Sequence, residues 1–165
     1  MLFTIFLAII FCAAITMLLV AAVAFVQDTR FFSSAPKEAR EALQQRDNEL
    51  FYGARVMGWV MMIFSAVVIL GVGIVSIWDG FRSGYTFWQF FLRFVLIFTI
   101  YKLYDMVFFD YFLLMKFRFF QHYYPEVTSA MENRKYGFNL KSQLLKLLVI
   151  FPAASALAAW ICTLV

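Results

Sequence analysis

The chain has 165 residues, of which 64% are hydrophobic and only 15% charged, more apolar surface than a water-soluble domain of this size can bury. Its formal net charge of +4 comes mainly from the stretch between Lys116 and Lys146, where Lys116, Arg118, Arg134, Lys135, Lys141 and Lys146 face only Glu126 and Glu132. A basic surface beside anionic lipid headgroups accounts for that balance, and nucleic acid is not needed as a partner.

Four charge-poor runs, at about 2–26, 56–78, 86–105 and 146–165, are each close to the ~20 residues a helix needs to cross a bilayer. They are too long and too uniformly apolar for barrel strands, which alternate every second residue. The expected fold is therefore all-α: a polytopic integral membrane protein, a single four-helix transmembrane domain over 1–165, with 27–55 and 106–145 as cytoplasmic segments.

The first run contains Ala22-Val23-Ala24, which resembles a signal-peptidase site. No Lys or Arg precedes it, however, and the run is longer than the usual ~7–15 residues of a signal core, so it is read as a helix. The following segment balances Arg30, Lys37, Arg40, Arg46 and Arg55 against Asp28, Glu38, Glu41, Asp47 and Glu49. Ser33, Ser34 and Pro36 form a helix start, and no Gly or Pro interrupts Lys37 to Tyr52, so helix 2 is expected to begin well inside the cytoplasm. Ala39, Ala42, Leu43 and Leu50 give that extension only a thin apolar stripe.

A short turn, Asp79 to Gly84, makes helices 2 and 3 an antiparallel hairpin. From Tyr85 to Tyr124 there is again no Gly or Pro, which predicts one unbroken helix ended by Pro125. At ~1.5 Å per residue such a helix is about twice as long as hydrocarbon is thick, so its aromatic second half must emerge into the headgroups and beyond. A loop with a turn at Tyr136-Gly137-Phe138-Asn139 leads to helix 4. Small residues one turn apart, Ala8 and Cys12, Ala154 and Ala158, Ser155 and Ala159, together with Gly71 and Gly73, mark where helices can approach closely. Cys12 and Cys162 differ too much in depth for a disulfide.

The basic residues of both long connections, against Arg82 alone in the 79–85 turn, place those connections in the cytoplasm and both termini outside, in the plasma membrane. The tryptophans fit: Trp59 falls near the inner end of helix 2, and Trp78, Trp88 and Trp160 near outer ends.

The candidate functional or structural charges are Arg93, Lys102, Asp105, Asp110, Arg55 and Lys146. Counted from Thr86, Arg93 lies ~10 Å into the hydrocarbon, Lys102 ~24 Å, Asp105 ~28 Å and Asp110 ~36 Å. Arg93 can reach outward toward Gln89 and the Asp79 turn. Lys102 and Asp105, three residues apart, can neutralise one another, while Asp110 is rotated by ~140° from Asp105 and forms no paired-carboxylate metal site with it. Arg55, Lys146 and Lys116 are the expected partners at the inner edge. His122, alone among aromatics, is most simply a packing or headgroup contact. HExxH, GxSxG, CxxC, the P-loop and the dinucleotide fingerprint do not occur, so no catalytic residue, cofactor or metal is assigned.

These observations favour a small non-catalytic membrane component or scaffold that packs with a partner, with its own copy or in a larger membrane complex, in contact with membrane lipids and anionic headgroups at the cytoplasmic face. The alternatives are a small oligomeric transporter and a membrane-embedded enzyme acting on lipid at the cytoplasmic interface. Whether the chain is an enzyme stays open, the non-enzyme reading needing fewer special assumptions.

Overall fold

The computed structural model describes residues 1–32, 37–46, 49–129 and 140–164. The Ser33–Pro36 helix start, Asp47, the bases Arg134 and Lys135 with Glu132, and the turn at 136–139 lie outside the described residues. Among the described residues the fold is helical and contains no strand. Helix α1 is α-helical over Leu2–Val20 and widens to i, i+5 turns over Ala21–Val26. Then come α2 (Lys37–Ala42), α3 (Ala54–Arg82) and α4 (Phe87–Tyr104), which continues in wide turns over Asp105–Lys116. A short α5 (Phe119–Tyr123) follows, and α6 runs through Leu140–Leu145, wide turns at Lys146–Ile150, and Phe151–Leu164. Proline 152 has no N–H to donate one turn back, which accounts for the widened turns before it.

Three helices are long and apolar enough to cross a membrane: Leu2–Val26, Ala54–Arg82 and Ser142–Leu164. Their outward faces are apolar, with Phe6, Ile63, Phe64, Leu70, Ile74, Leu148 and Ile161 all exposed, a surface better suited to lipid than to water. Trp59, Trp78, Trp88 and Trp160 are exposed as well, as rings facing a bilayer interface would be.

The chain forms two compact units. One comprises Met1–Ala14, Val67–Asp105 and Asn139–Val165. Its core joins Leu7 and Ala8 to Val72 and Ile97, and Phe90 and Phe94 to Ala159 and Cys162. Of the small-residue pairs, Ala8 with Cys12 and Ser155 with Ala159 are buried, whereas Ala154 is exposed. Phe98 stacks on Phe151 with ring centroids 5.3 Å apart, tying α4 to α6.

The other unit comprises Ile15–Ala66 and Met106–Phe138. Val23, Tyr124 and Val127 form its core, with Leu19, Ala42, Leu43, Phe119, Phe120 and Tyr123 packed around them. This core corrects two sequence expectations. The helix expected to run unbroken from Tyr85 to Tyr124 stops at Lys116: Phe117 N–H donates to the Phe112 carbonyl five residues back (2.8 Å), and Arg118 adopts a left-handed conformation, φ 50°. A left-handed non-glycine residue costs about 1–2 kcal/mol, less than the ~1.5–3 kcal/mol per side chain that burying large apolar groups contributes. The turn lets Tyr124 and Val127 reach Val23, so packing outweighs the local cost.

The second correction concerns helix 2, which does not extend back to Lys37. Helix α2 ends at Ala42, residues 43–46 are irregular, and α3 starts only after Gly53, which is left-handed at φ 85°. Here too the core explains the break, since Leu43 packs on it and Arg46 turns to pair with Glu126 (2.8 Å).

Candidate functional site

Arg93 is the one candidate charge that the sequence places well inside hydrocarbon, and it is 4% exposed. Three elements converge on it. Helix α3 runs on to Arg82, one turn beyond the expected end at 78, so Asp79 stands in its last turn and not in a loop. Gly84, left-handed at φ 64°, reverses the chain, and Tyr85 N–H closes the turn by donating to the Gly80 carbonyl (2.9 Å). Helix α4 then begins at Thr86, whose N–H donates to the Gln89 side chain (2.8 Å), as in a capping box. Gln89 is thereby used as a cap and is not the partner of Arg93 that its spacing suggested.

The guanidinium donates to the Ser76 carbonyl (2.9 Å) and to the Tyr85 hydroxyl (2.6 Å), and Nη2 lies 2.7 Å from an Asp79 carboxylate oxygen. It also sits over the Tyr85 ring, 4.4 Å from the centroid. Asp79 is unfavourable near a helix C-terminus by itself, and Arg93 offsets that while Asp79 offsets the cost of a buried cation. Arg93 Nε and Ser76 Oγ are buried without a hydrogen-bond partner among the described residues. The arrangement is a clamp between the end of α3 and the first turns of α4.

Lys102, 3% exposed, is ion-paired with Asp105 as the three-residue spacing predicts. The pair stands where α4 changes to wide turns. A nearby apolar cleft of about 240 Å³ is lined by Ile9, Cys12, Ala13, Ile100 and Tyr104. The other candidate charges occupy separate settings. Asp110 is half-buried in the wide-turn segment, Arg55 donates to the Arg46 carbonyl (2.9 Å), and Lys146 is exposed on α6. Lys116 lies over the Phe112 ring, 5.6 Å from its centroid. His122 is exposed on α5 with its ring edge-on to Tyr123, 5.0 Å between centroids. Neither cysteine is in a disulfide, and both are buried. Among the described residues no three His, Cys, Asp or Glu side chains are grouped to hold a metal ion.

A second polar group was not singled out from the sequence. Arg46 pairs with Glu126 and lies over the ring of Tyr124, 5.5 Å from the centroid, and Gln44 N–H donates to the same carboxylate (3.4 Å). Burial pushes the Tyr124 phenol up to about 12; Arg46 pulls the other way, and Glu126 and Asp28 add to the rise. The only sequence signal was the opposite charge of two residues eighty positions apart, which no local pattern connects.

Compared with known protein families, characterised proteins and solved structures, the chain matches none.

Proposed function

We propose that the chain is a four-span protein of the plasma membrane in which α4 is the fourth crossing, with 27–55 and 106–145 in the cytoplasm and both ends outside. In this reading it is a non-catalytic membrane component that packs with a partner or with its own copy. The observation that carries the reading is that both cations buried in α4 are neutralised within the chain, Arg93 by Asp79 and Lys102 by Asp105. The Arg93 pair ties α4 to the end of α3, and neither pair leaves net charge to draw an ion or headgroup through the membrane. An unpaired cation at the centre of a helix would oppose insertion by roughly 2.5–3.5 kcal/mol, so the Arg93–Asp79 pair also supports α4 as a crossing helix. The exposed aromatic residues Tyr111 and Phe117 supply contact surface for a partner.

The test is the mass of the detergent-extracted protein, corrected for bound detergent, together with whatever co-purifies. A larger complex that no solute stabilises supports the reading. A dimer that a transported solute stabilises would replace it with a transporter, and turnover of a lipid bound near Asp105 would replace it with an enzyme.

A further inference from the structure

The Ile15–Ala66 and Met106–Phe138 unit contains the end of one membrane-length helix, Val26, and the start of another, Ala54. Val26 is level with Gly58, one turn into the second helix. A Cβ built on Gly58 would lie 2.7 Å from Val26 Cγ2 and 2.8 Å from Phe25 Cβ, so α3 touches the end of α1 one turn after it begins. At ~1.5 Å per residue, Gly58 is ~6 Å along α3 from Ala54, and the headgroup layer on each side of a bilayer is about 5–8 Å deep. Residues just before Ala54 therefore stand at headgroup depth.

What stands there is apolar and held outward. Gly53 N–H donates to the Glu49 carboxylate (2.8 Å) and Ala54 N–H to the Phe51 carbonyl (2.9 Å), a turn that the left-handed Gly53 permits. It leaves Leu50 and Phe51 about half exposed and Tyr52 fully exposed. Phe51 meets Phe25 edge-on (6.2 Å), and Phe31 meets Trp59 edge-on (5.8 Å); Phe31 and Trp59 are exposed too. Glu49 accepts from the Gly53 N–H and Arg30 pairs with Asp28 (3.5 Å), while Leu50, Phe51 and Tyr52 themselves carry no charge, so apolar contact dominates at the rim.

We propose that Leu50, Phe51 and Tyr52, with Phe31 and Trp59, form a preformed lipid-binding rim that inserts into the boundary between phospholipid headgroups and acyl chains. Amphipathic rings and a leucine suit that boundary, and the covalent tie to α3 keeps them there. The inference rests on α1 and α3 crossing the bilayer. It differs from a solvated extension, which is what the thin apolar stripe of the sequence suggested.

The test uses phosphatidylcholine nanodiscs holding one chain each, with Cys12→Ala and Cys162→Ala as background. Spin labels go on Tyr52→Cys, on Val67→Cys as a deep reference and on Arg40→Cys as an aqueous reference. Relative accessibility to oxygen and to a water-soluble nickel chelate should put position 52 between the two references, at the boundary between headgroups and acyl chains. Position 52 matching position 40 while position 67 reads deep overturns the rim alone. Position 67 reading as aqueous overturns the spanning helix and the rim with it. Because a nitroxide is itself apolar, native Tyr52 is checked by hydroxyl-radical oxidation: protection in single-chain discs supports lipid cover, and protection only in discs with two chains assigns the surface to a second copy.

Discussion

Asp79 and Arg93, fourteen positions apart, meet at 2.7 Å across the hairpin between α3 and α4. The arginine side chain is 3% exposed and the carboxylate 29%, so the pair is buried on the cation's side and open on the anion's. Asp79→Ala leaves a buried guanidinium without its counter-ion, and the expected loss in detergent is on the order of 2 kcal/mol, below the ~3–5 kcal/mol of a fully buried pair because the aspartate is partly solvated. The double variant with Arg93→Ala should lose less than the sum of the single losses. Thermal or denaturant unfolding of the four proteins of the cycle measures this; simply additive losses would show that the residues are not coupled.

Gly80 packs one residue further along the same turn. A Cβ there would fall 2.2 Å and 2.6 Å from carbons of the Phe90 ring, which is buried and hemmed in by Phe81 and Tyr85. Gly80→Ala should therefore destabilise by about 1–3 kcal/mol through overpacking, whereas Gly71→Ala, with nothing within 4 Å, should be neutral or mildly stabilising. Equal melting temperatures for the two variants would contradict the close approach.

These two glycines show where sequence reading stops. Small residues at four-residue spacing located Ala8, Cys12, Ser155 and Ala159 correctly in the core, because periodicity reports the face of a helix. The same logic chose Gly71 and Gly73, which meet nothing, and passed over Gly58 and Gly80, which a partner element does meet. Which glycine is crowded depends on the other helix, and that is not written locally. The ion pair of Lys102 with Asp105 was legible from spacing, and Asp79 as a partner of Arg93 from the direction in which helical side chains lean. The break at Arg118, which carries no Gly or Pro, and the start of the break after Ala42, whose one local signal is Gly53 at its far end, were not legible; both arise from the contacts of Tyr124, Val127 and Leu43, distant in sequence from Val23.

Tyr124 has a pH signature. Its phenol is raised from 10.0 to about 12 by burial, so across that interval the unfolded chain has released a proton that the folded chain retains. The native state binds more protons there, and stability falls as pH rises from 10.0 to about 12, by up to about 1.4 kcal/mol per pH unit; below 10.0 the contribution is fully present. The quantity to compare is the difference from Tyr124→Phe, which cancels every pH dependence the two proteins share. The parent should lose stability relative to that variant over this interval. Parallel curves would mean that Tyr124 ionises without cost.

The most direct test of the account is whether α4 crosses the membrane. In a Cys12→Ala, Cys162→Ala background, single cysteines at Ser83, in the turn before α4, and at Gln121, on α5 beyond it, are labelled with a membrane-impermeant maleimide in intact cells and in inverted vesicles. A four-span protein with basic connections inside predicts that Ser83→Cys reacts only from outside and Gln121→Cys only from the cytoplasmic side. Both positions reacting from the same side would contradict it, leaving three crossings and Arg93 in a helix that does not span.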